Sequence, residues 1–292
     1  MLTGLQAAVL GGDARQLEII RKLTELDAKI YLAGFDQLEQ SFTGAVKETL
    51  EDVPFEQLDA IILPVAGLQA TGEIETIFSD KNLRLTEDML KRTPPNCKIF
   101  TGISPALLSN LAEKAGRQLI KLFDRDDVAI YNSIPTAEGT VMMAIQHTDI
   151  TIHGSEVVVL GMGRVGISVA RIFKSLGAEV KLGARRSEHL ARAIEMGLTP
   201  FQIGRLENEV KTADIIINTI PHQVVTASAI ASMQAHALII DLASKPGGTD
   251  FRFAEKRGIK AILALGLPGL VAPKTAGQIL AKVLVDLLKE DA

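Results

Sequence analysis

The sequence predicts an α/β protein of two doubly wound domains, and three observations predict it. Short apolar runs and amphipathic stretches alternate twice along the chain. The mid-chain run Val157-Val158-Val159-Leu160-Gly161-Met162-Gly163-Arg164-Val165-Gly166 places G-x-G-x-x-G between an apolar strand and a helix. The length, 292 residues, exceeds the usual size of one hydrophobic core. Residues 1–130 are therefore expected to form an open parallel-sheet domain, joined by a returning helix at 275–292. Residues 131–274 are expected to carry a linker helix and a Rossmann dinucleotide-binding domain.

The first domain opens on the apolar run Ala7 to Leu10, the turn Gly11-Gly12-Asp13, and a helix whose stripe is Leu17, Ile19, Ile20, Leu23 and Leu26. Short strands follow at Ile30 to Ala33, Ala60 to Val65, Lys98 to Thr101 and Leu119 to Leu122, with helical segments at Leu83 to Lys91 and Pro105 to Ala115. Gly11-Gly12 lacks the full fingerprint, so no second dinucleotide is assigned there. The second half starts at Asn132-Ser133-Ile134-Pro135-Thr136, read as a helix start, with Val141, Met142 and Ile145 on a helix ending near His147. Strands recur at Val157 to Leu160, Val180 to Leu182, Asp214 to Asn218, Ala237 to Asp241 and Ala261 to Leu265. Ala272 to Glu290 reads as a final helix with Ile279, Leu280, Val283, Leu284 and Leu287 on its apolar side.

Each glycine of the fingerprint has a separate physical task. Gly161 permits a tight turn, Gly163 removes the side chain that would block a pyrophosphate, and Gly166 lets helix and strand pack closely. The intervening Met162, Arg164 and Val165 belong to the same cofactor turn, whose helix start offers unpaired N–H groups and a positive dipole end to phosphate. The second strand then selects the dinucleotide. NAD-specific sites end this strand on a carboxylate that binds the ribose 2′-OH, whereas here Gly183-Ala184-Arg185-Arg186 stands in that place. Without a carboxylate to repel a 2′-phosphate, and with two arginines to bind it, NADP is the expected cofactor and NAD the alternative.

Composition narrows the class. A net charge of -4 leaves no basic footprint for nucleic acid. The sequence shows neither an uninterrupted apolar stretch of membrane-spanning length nor a signal-type N-terminus, so a cytoplasmic protein is expected. Cys97 is the one cysteine, which rules out an internal disulfide and reads as structural rather than nucleophilic. Five histidines, none at metal-ligand spacing, argue against a metal site.

Ligands of open α/β sheets bind outside the carboxyl ends of the strands. That rule nominates Gly11 to Arg15 and Thr101 to Ser104 in the first domain, and Asn132 to Thr136 in the linker. There Ser133 and Thr136, at the expected helix start, would hold a carboxylate with hydroxyls and backbone N–H groups. In the second domain the rule nominates Thr219-Ile220-Pro221-His222, Leu242 to Lys245 and Leu267 to Gly269. Thr219, Ile220 and Pro221 are expected to wall the cofactor.

Taken in order, A-V-L-G-G-D-A-R, N-S-I-P-T-A-E-G, V-L-G-M-G-R-V-G with a following G-A-R, N-T-I-P, I-D-L-A-S-K-P-G-G-T-D-F and L-P-G-L-V-A-P-K-T-A-G resemble the A subunits of bacterial dipicolinate synthases over essentially the whole chain. The late segments and the domain order also resemble, more distantly, alanine dehydrogenases and 2-hydroxyacid dehydrogenases. The resemblance implies oxidation of dihydrodipicolinate to dipicolinate, together with a flavoprotein-like B subunit, in the mother cell of a sporulating bacterium. It also implies a substrate drawn from the branch that makes diaminopimelate and lysine, and assembly as an oligomer.

Such a reaction needs a ring oriented against nicotinamide, two carboxylates held, and a proton accepted. Arg15 is the first candidate for one carboxylate, through its planar fork, or else a solvated cation. Ser133 and Thr136 are candidates for the other. His222 is the candidate proton acceptor by its ordinary titration range. Lys245 and Lys274 are weaker candidates for binding, while Asp13 and Glu138 read as helix-end residues, and water can take the proton instead. Two other readings stay open: a non-catalytic nucleotide-binding protein with an assembly or regulatory role, and a stand-alone NADP-dependent dehydrogenase of an amino or hydroxy acid.

Overall fold

The computed structural model describes residues 1–290. In chain order the elements are β1 (Gln6–Leu10), α1 (Ala14–Glu25), β2 (Lys29–Ala33), β3 (Ala45–Glu48), β4 (Ala60–Ile62), β5 (Glu73–Ile74), β6 (Leu83–Arg84), α2 (Glu87–Arg92), β7 (Lys98–Thr101), α3 (Ala106–Ala115), β8 (Gln118–Lys121) and α4 (Asp126–His147). They continue with β9 (Glu156–Leu160), α5 (Arg164–Ser175), β10 (Glu179–Ala184), α6 (Ser187–Glu195), β11 (Thr199–Gln202), α7 (Leu206–Glu209) and β12 (Ile215–Asn218). The series ends with α8 (Ala227–Ala231), β13 (Leu238–Asp241), α9 (Phe251–Lys256), β14 (Lys260–Leu263), α10 (Leu267–Val271) and α11 (Pro273–Lys289). Two compact units result, Met1–Ala129 with the segment from Pro273 onward, and Ile130–Ala272.

In the first unit six parallel strands lie in the order β3-β2-β1-β4-β7-β8. Alternation along the strands sends Val9, Ile30, Leu32, Ile62 and Phe100 to one face, where Ile19, Ile20 and Leu23 of α1 and Leu280, Leu284 and Leu288 of α11 cover them. Leu10, Ile61 and Ile99 go to the other face, under Leu90 of α2 and Leu108 of α3. The second unit repeats the plan with the order β11-β10-β9-β12-β13-β14. Val157, Val159, Leu182 and Ile217 pack under Ala137 of α4 and Val169 and Phe173 of α5, and Val158, Leu160 and Ile239 under Ile230 of α8 and Ala254 of α9. Numbered within each unit, both sheets read 3-2-1-4-5-6, the strand order of dinucleotide-binding folds, with a switch point between the first and fourth strands.

Several expected elements differ. No helix starts at Asn132: α4 begins at Asp126 and runs through Pro135. Asp126 and Asp127 supply the acidic first turn that favours an N-terminus there. Pro135 removes one amide from the ladder, while the Ser133 and Thr136 hydroxyls donate to the carbonyls of Ile130 at 2.6 Å and Asn132 at 2.8 Å. Leu83 and Arg84 leave the expected helix to pair antiparallel with Ile74 and Glu73, and the helix starts after Thr86, whose hydroxyl accepts from the Met89 amide. Strand β4 stops short of Pro64, which has no amide to give a ladder.

Candidate functional site

At the switch point of the second sheet the fingerprint glycines occupy three different environments. Gly161 has φ +103°, and a Cβ there would lie 2.4 Å from Thr219 Oγ1 and 3.1 Å from Ile220 Cγ1. Only glycine suits both that backbone and the approach of the loop after β12. At Gly166 a Cβ would lie 2.1 Å from the Gly161 carbonyl oxygen, so α5 is seated directly on the turn. Gly163 is the opposite case: a Cβ would meet nothing within 4 Å, and its φ of -90° is ordinary. Packing does not account for glycine here, whereas the close approach of a phosphate would.

Gly163 is also the N-cap of the twelve-residue α5, and no side chain caps it. The first-turn amides of Val165 and Gly166 have no intrahelical acceptor by helix geometry. Met162 is buried and packs in the α4–α5 core, so this residue contributes backbone to the turn and its side chain to the fold. Thr219 anchors the opposite wall, its amide and hydroxyl both donating to the Leu160 carbonyl, at 3.0 and 2.7 Å. Pro221 and His222 follow as exposed residues.

Strand β10 ends on buried Gly183 and Ala184. A Cβ on Gly183 would press against the Phe201 ring at 2.6 Å, which gives packing, rather than cofactor choice, as the reason for glycine at that place. Arg185 and Arg186 then emerge into solvent, and the nearest acidic residue in sequence, Glu188, accepts an ion pair from Arg186 at 3.2 Å.

The remaining candidates divide by their partners. Arg15 is half-buried and clamped to Asp13, Nε donating at 2.9 Å and Nη2 at 2.6 Å. Asp13 also accepts the Arg15 amide at 2.9 Å and closes a capping box with Gln16. Burial raises the Asp13 pKa, but the Arg15 side chain, amide and charge outweigh it and hold the carboxyl below its ordinary range. Ser133 is buried inside α4 and its hydroxyl also lies 2.7 Å from Ser168 Oγ on α5. The carboxylate cradle read from a helix start at Ser133 and Thr136 is therefore corrected: their amides are interior to a helix and their hydroxyls serve its carbonyls. His222, Lys245, Lys274 and Glu138 are exposed.

Sequence reasoning missed Asn218, Asp241 and Thr249, all buried at or just beyond the ends of β12 and β13. Asp241 accepts from Asn218 Nδ2 at 3.0 Å, the Ala243 amide at 3.0 Å, the Gly248 amide at 2.8 Å and the Thr249 hydroxyl at 2.6 Å. Their signal was a polar residue closing each of two adjacent apolar strands, Asn218 opposite Asp241 in register. Among the described residues no group of three metal-ligating side chains occurs, and no helix is long and apolar enough to cross a membrane.

Comparison with known proteins accords with this geometry. Residues 6–123 match the family described as the N-terminal domain of the dipicolinate synthase A subunit, and residues 129–291 the alanine dehydrogenase/PNT C-terminal domain. The second match is to a dehydrogenase-type domain and implies binding of NAD or NADP. The A subunit of dipicolinate synthase from Bacillus subtilis (strain 168) is 62% identical over 290 residues, 99% of this chain and 98% of its own. The crystal structure of the same A subunit from Bacillus halodurans has TM-score 0.97 and 59% identity, covering 99% of both chains. The corresponding Bacillus subtilis structure has TM-score 0.96 and 62% identity, over 99% of this chain and 97% of that one.

Proposed function

The chain belongs to the family of dipicolinate synthase A subunits, and on that premise we propose that it oxidises dihydrodipicolinate to dipicolinate with NADP, in company with a B subunit, in the mother cell of a sporulating bacterium. The reaction removes a hydride and a proton from the dihydropyridine ring, and the gain of aromaticity drives it. Bound NADP supplies the hydride acceptor. The chain's own task is to bind, orient and take up the proton.

The turn Gly161 to Gly166 and the start of α5 hold the pyrophosphate, Ala184 leaves room at the end of β10, and Arg185 with Arg186 holds the 2′-phosphate. Thr219, Ile220 and Pro221 wall the other half of the cofactor. Arg15, preorganised by Asp13, holds a substrate carboxylate, and His222 takes the proton. In this reading residues 1–130 with 275–292 serve the substrate and 131–274 the cofactor.

One observation carries the cofactor half: the only fingerprint glycine whose Cβ would meet open space is the one a pyrophosphate must approach. Gly163→Ala should leave the melting temperature within about 2 °C of the parent and weaken NADPH binding at least tenfold. Gly166→Ala, whose Cβ meets a carbonyl, should lower the melting temperature by several degrees, an overpacking cost of about 1–3 kcal/mol. Calorimetric titration with thermal melts tests both, and unchanged NADPH affinity in Gly163→Ala overturns the assignment.

A further inference from the structure

The buried carboxylate of Asp241 belongs to no step described so far, and its surroundings are unusual. It is fully shielded from solvent, yet none of its four hydrogen-bonding partners is a cation. Four donors converging on two side-chain oxygens suit an Asp, whereas an Asn would turn its own NH2 toward two of them. A polar side chain is costly to bury unless it is hydrogen-bonded, so an Asp here reflects what its hydrogen bonds arrange.

They arrange two loops. Directly, Asp241 gathers Ala243, Gly248 and Thr249, fixing the loop 243–249. Through Asn218 it reaches the loop after β12: Asn218 Nδ2 donates both to Asp241 and to the Ile220 carbonyl at 3.0 Å, and Asn218 Oδ1 accepts the Ile220 amide at 3.0 Å. The two loops then lock together at Gly248, where a Cβ would lie 2.4 Å from the His222 carbonyl oxygen and 2.5 Å from that of Ile220. The Val224 and Val225 amides both donate to the Gly248 carbonyl at 2.9 Å. Ile220, together with Thr219, sets its side chain against the Gly161 turn.

We propose that Asp241 is a positioning residue for the nicotinamide side of the cofactor site, setting the backbone of Ile220 beside the Gly161 turn through Asn218 and the loop 243–249. The inference rests on dinucleotide binding at that turn. In a doubly wound fold the half beginning at β9 takes the adenosine and the half beginning at β12 takes the other mononucleotide. Disturbing Asp241 should therefore spare the adenine side and damage the nicotinamide side. A residue that only stabilised the domain would affect both alike.

The test compares Thr249→Val, Thr249→Ser and Asp241→Asn with the unmodified full-length chain. Each is titrated with NADPH and NADH, and with 2′,5′-ADP and 5′-ADP as adenine-side probes, beside a thermal melt. Thr249→Val should keep the adenine-side dissociation constant within about twofold and raise that of the dinucleotide about tenfold, and Thr249→Ser should restore the parent value. Asp241→Asn should show the larger split, and if it fails to fold the threonine pair decides. Parallel losses for probe and dinucleotide, or a folded Asp241→Asn or Thr249→Val with unchanged dinucleotide affinity, overturn the inference. An unmodified chain that binds neither dinucleotide overturns the cofactor reading beneath it.

Discussion

Arg185 and Arg186 are adjacent in sequence but differently engaged. Arg186 is the N-cap of α6, lies 2.7 Å from His189 Nε2 and pairs with Glu188, whereas Arg185 has no ion-pair partner among the described residues. A 2′-phosphate would compete with Glu188 for Arg186 but not for Arg185. Arg185→Ala should therefore weaken NADP about ten- to hundredfold, the ~1.5–3 kcal/mol of a charged hydrogen bond, with NAD nearly unchanged. Arg186→Ala should do less, and equal losses for both cofactors would remove the 2′-phosphate argument. Cys97 carries a second prediction. Burial pushes its thiol up to about 11, so it is an inert core group near neutrality. Because the folded value is raised, its contribution to stability is complete below the unfolded value of ~8.5 and is lost as pH rises through about 11. Urea unfolding at several pH values should show a shallower alkaline decline in Cys97→Ala than in the parent. The glycine turn was legible because an apolar run, three glycines and a helix are local in sequence. The partners of Asp241 were not, since they meet only when β12 and β13 align Asn218 with Asp241.

Among the elements, the central strands were readable because burial on both faces makes them continuous apolar runs. The edge strands β3, with Lys47 and Glu48, and β11, with Pro200, were not: edges accept charges and proline that argue against a strand. In α4 the sequence misled for a physical reason. Ser-Ile-Pro-Thr has the residues of a helix start, yet here the hydroxyls bond backward to carbonyls while the helix passes through the proline. Helix α11 was visible from its stripe, and its neighbour α1 explains Gly277. A Cβ there would lie 2.5 Å from the Arg15 carbonyl oxygen and 2.9 Å from Glu18 Cβ, so the two helices touch at backbone distance. One turn of that contact also carries the Gln278 amide to Glu18 Oε2 at 3.1 Å. Gly277→Leu should separate the helices and cost at least the ~1–3 kcal/mol of overpacking, read as a lowered denaturant midpoint. It should also disturb the start of α1, where Arg15 is held.

At the scale of the molecule, the same strand order is built twice and only one copy keeps an open glycine turn. In the first sheet the Gly12 amide donates to the Glu75 carbonyl at 2.7 Å, and the Ile77 amide to the Gly12 carbonyl at 3.0 Å. The helix start behind them is capped by Asp13 and Gln16. The residue in the place of Gly163, directly before the helix, is Asp13, whose carboxylate accepts the Arg15 amide at 2.9 Å and occupies the helix start. The second sheet leaves that place open at Gly163. The glycine turn is thus open in one unit and occupied in the other, so the dinucleotide is expected at the second sheet alone. The most direct test is to follow NADPH formation and pyridine-dicarboxylate absorbance together, using purified chain and freshly generated dihydrodipicolinate, in the presence of the B subunit or in its absence, with NAD in parallel. Formation of both products in equal amounts, faster with NADP than with NAD, is the predicted result. Cofactor binding with no reduction, even when the B subunit is present, would contradict it and give this chain an assembly or regulatory role.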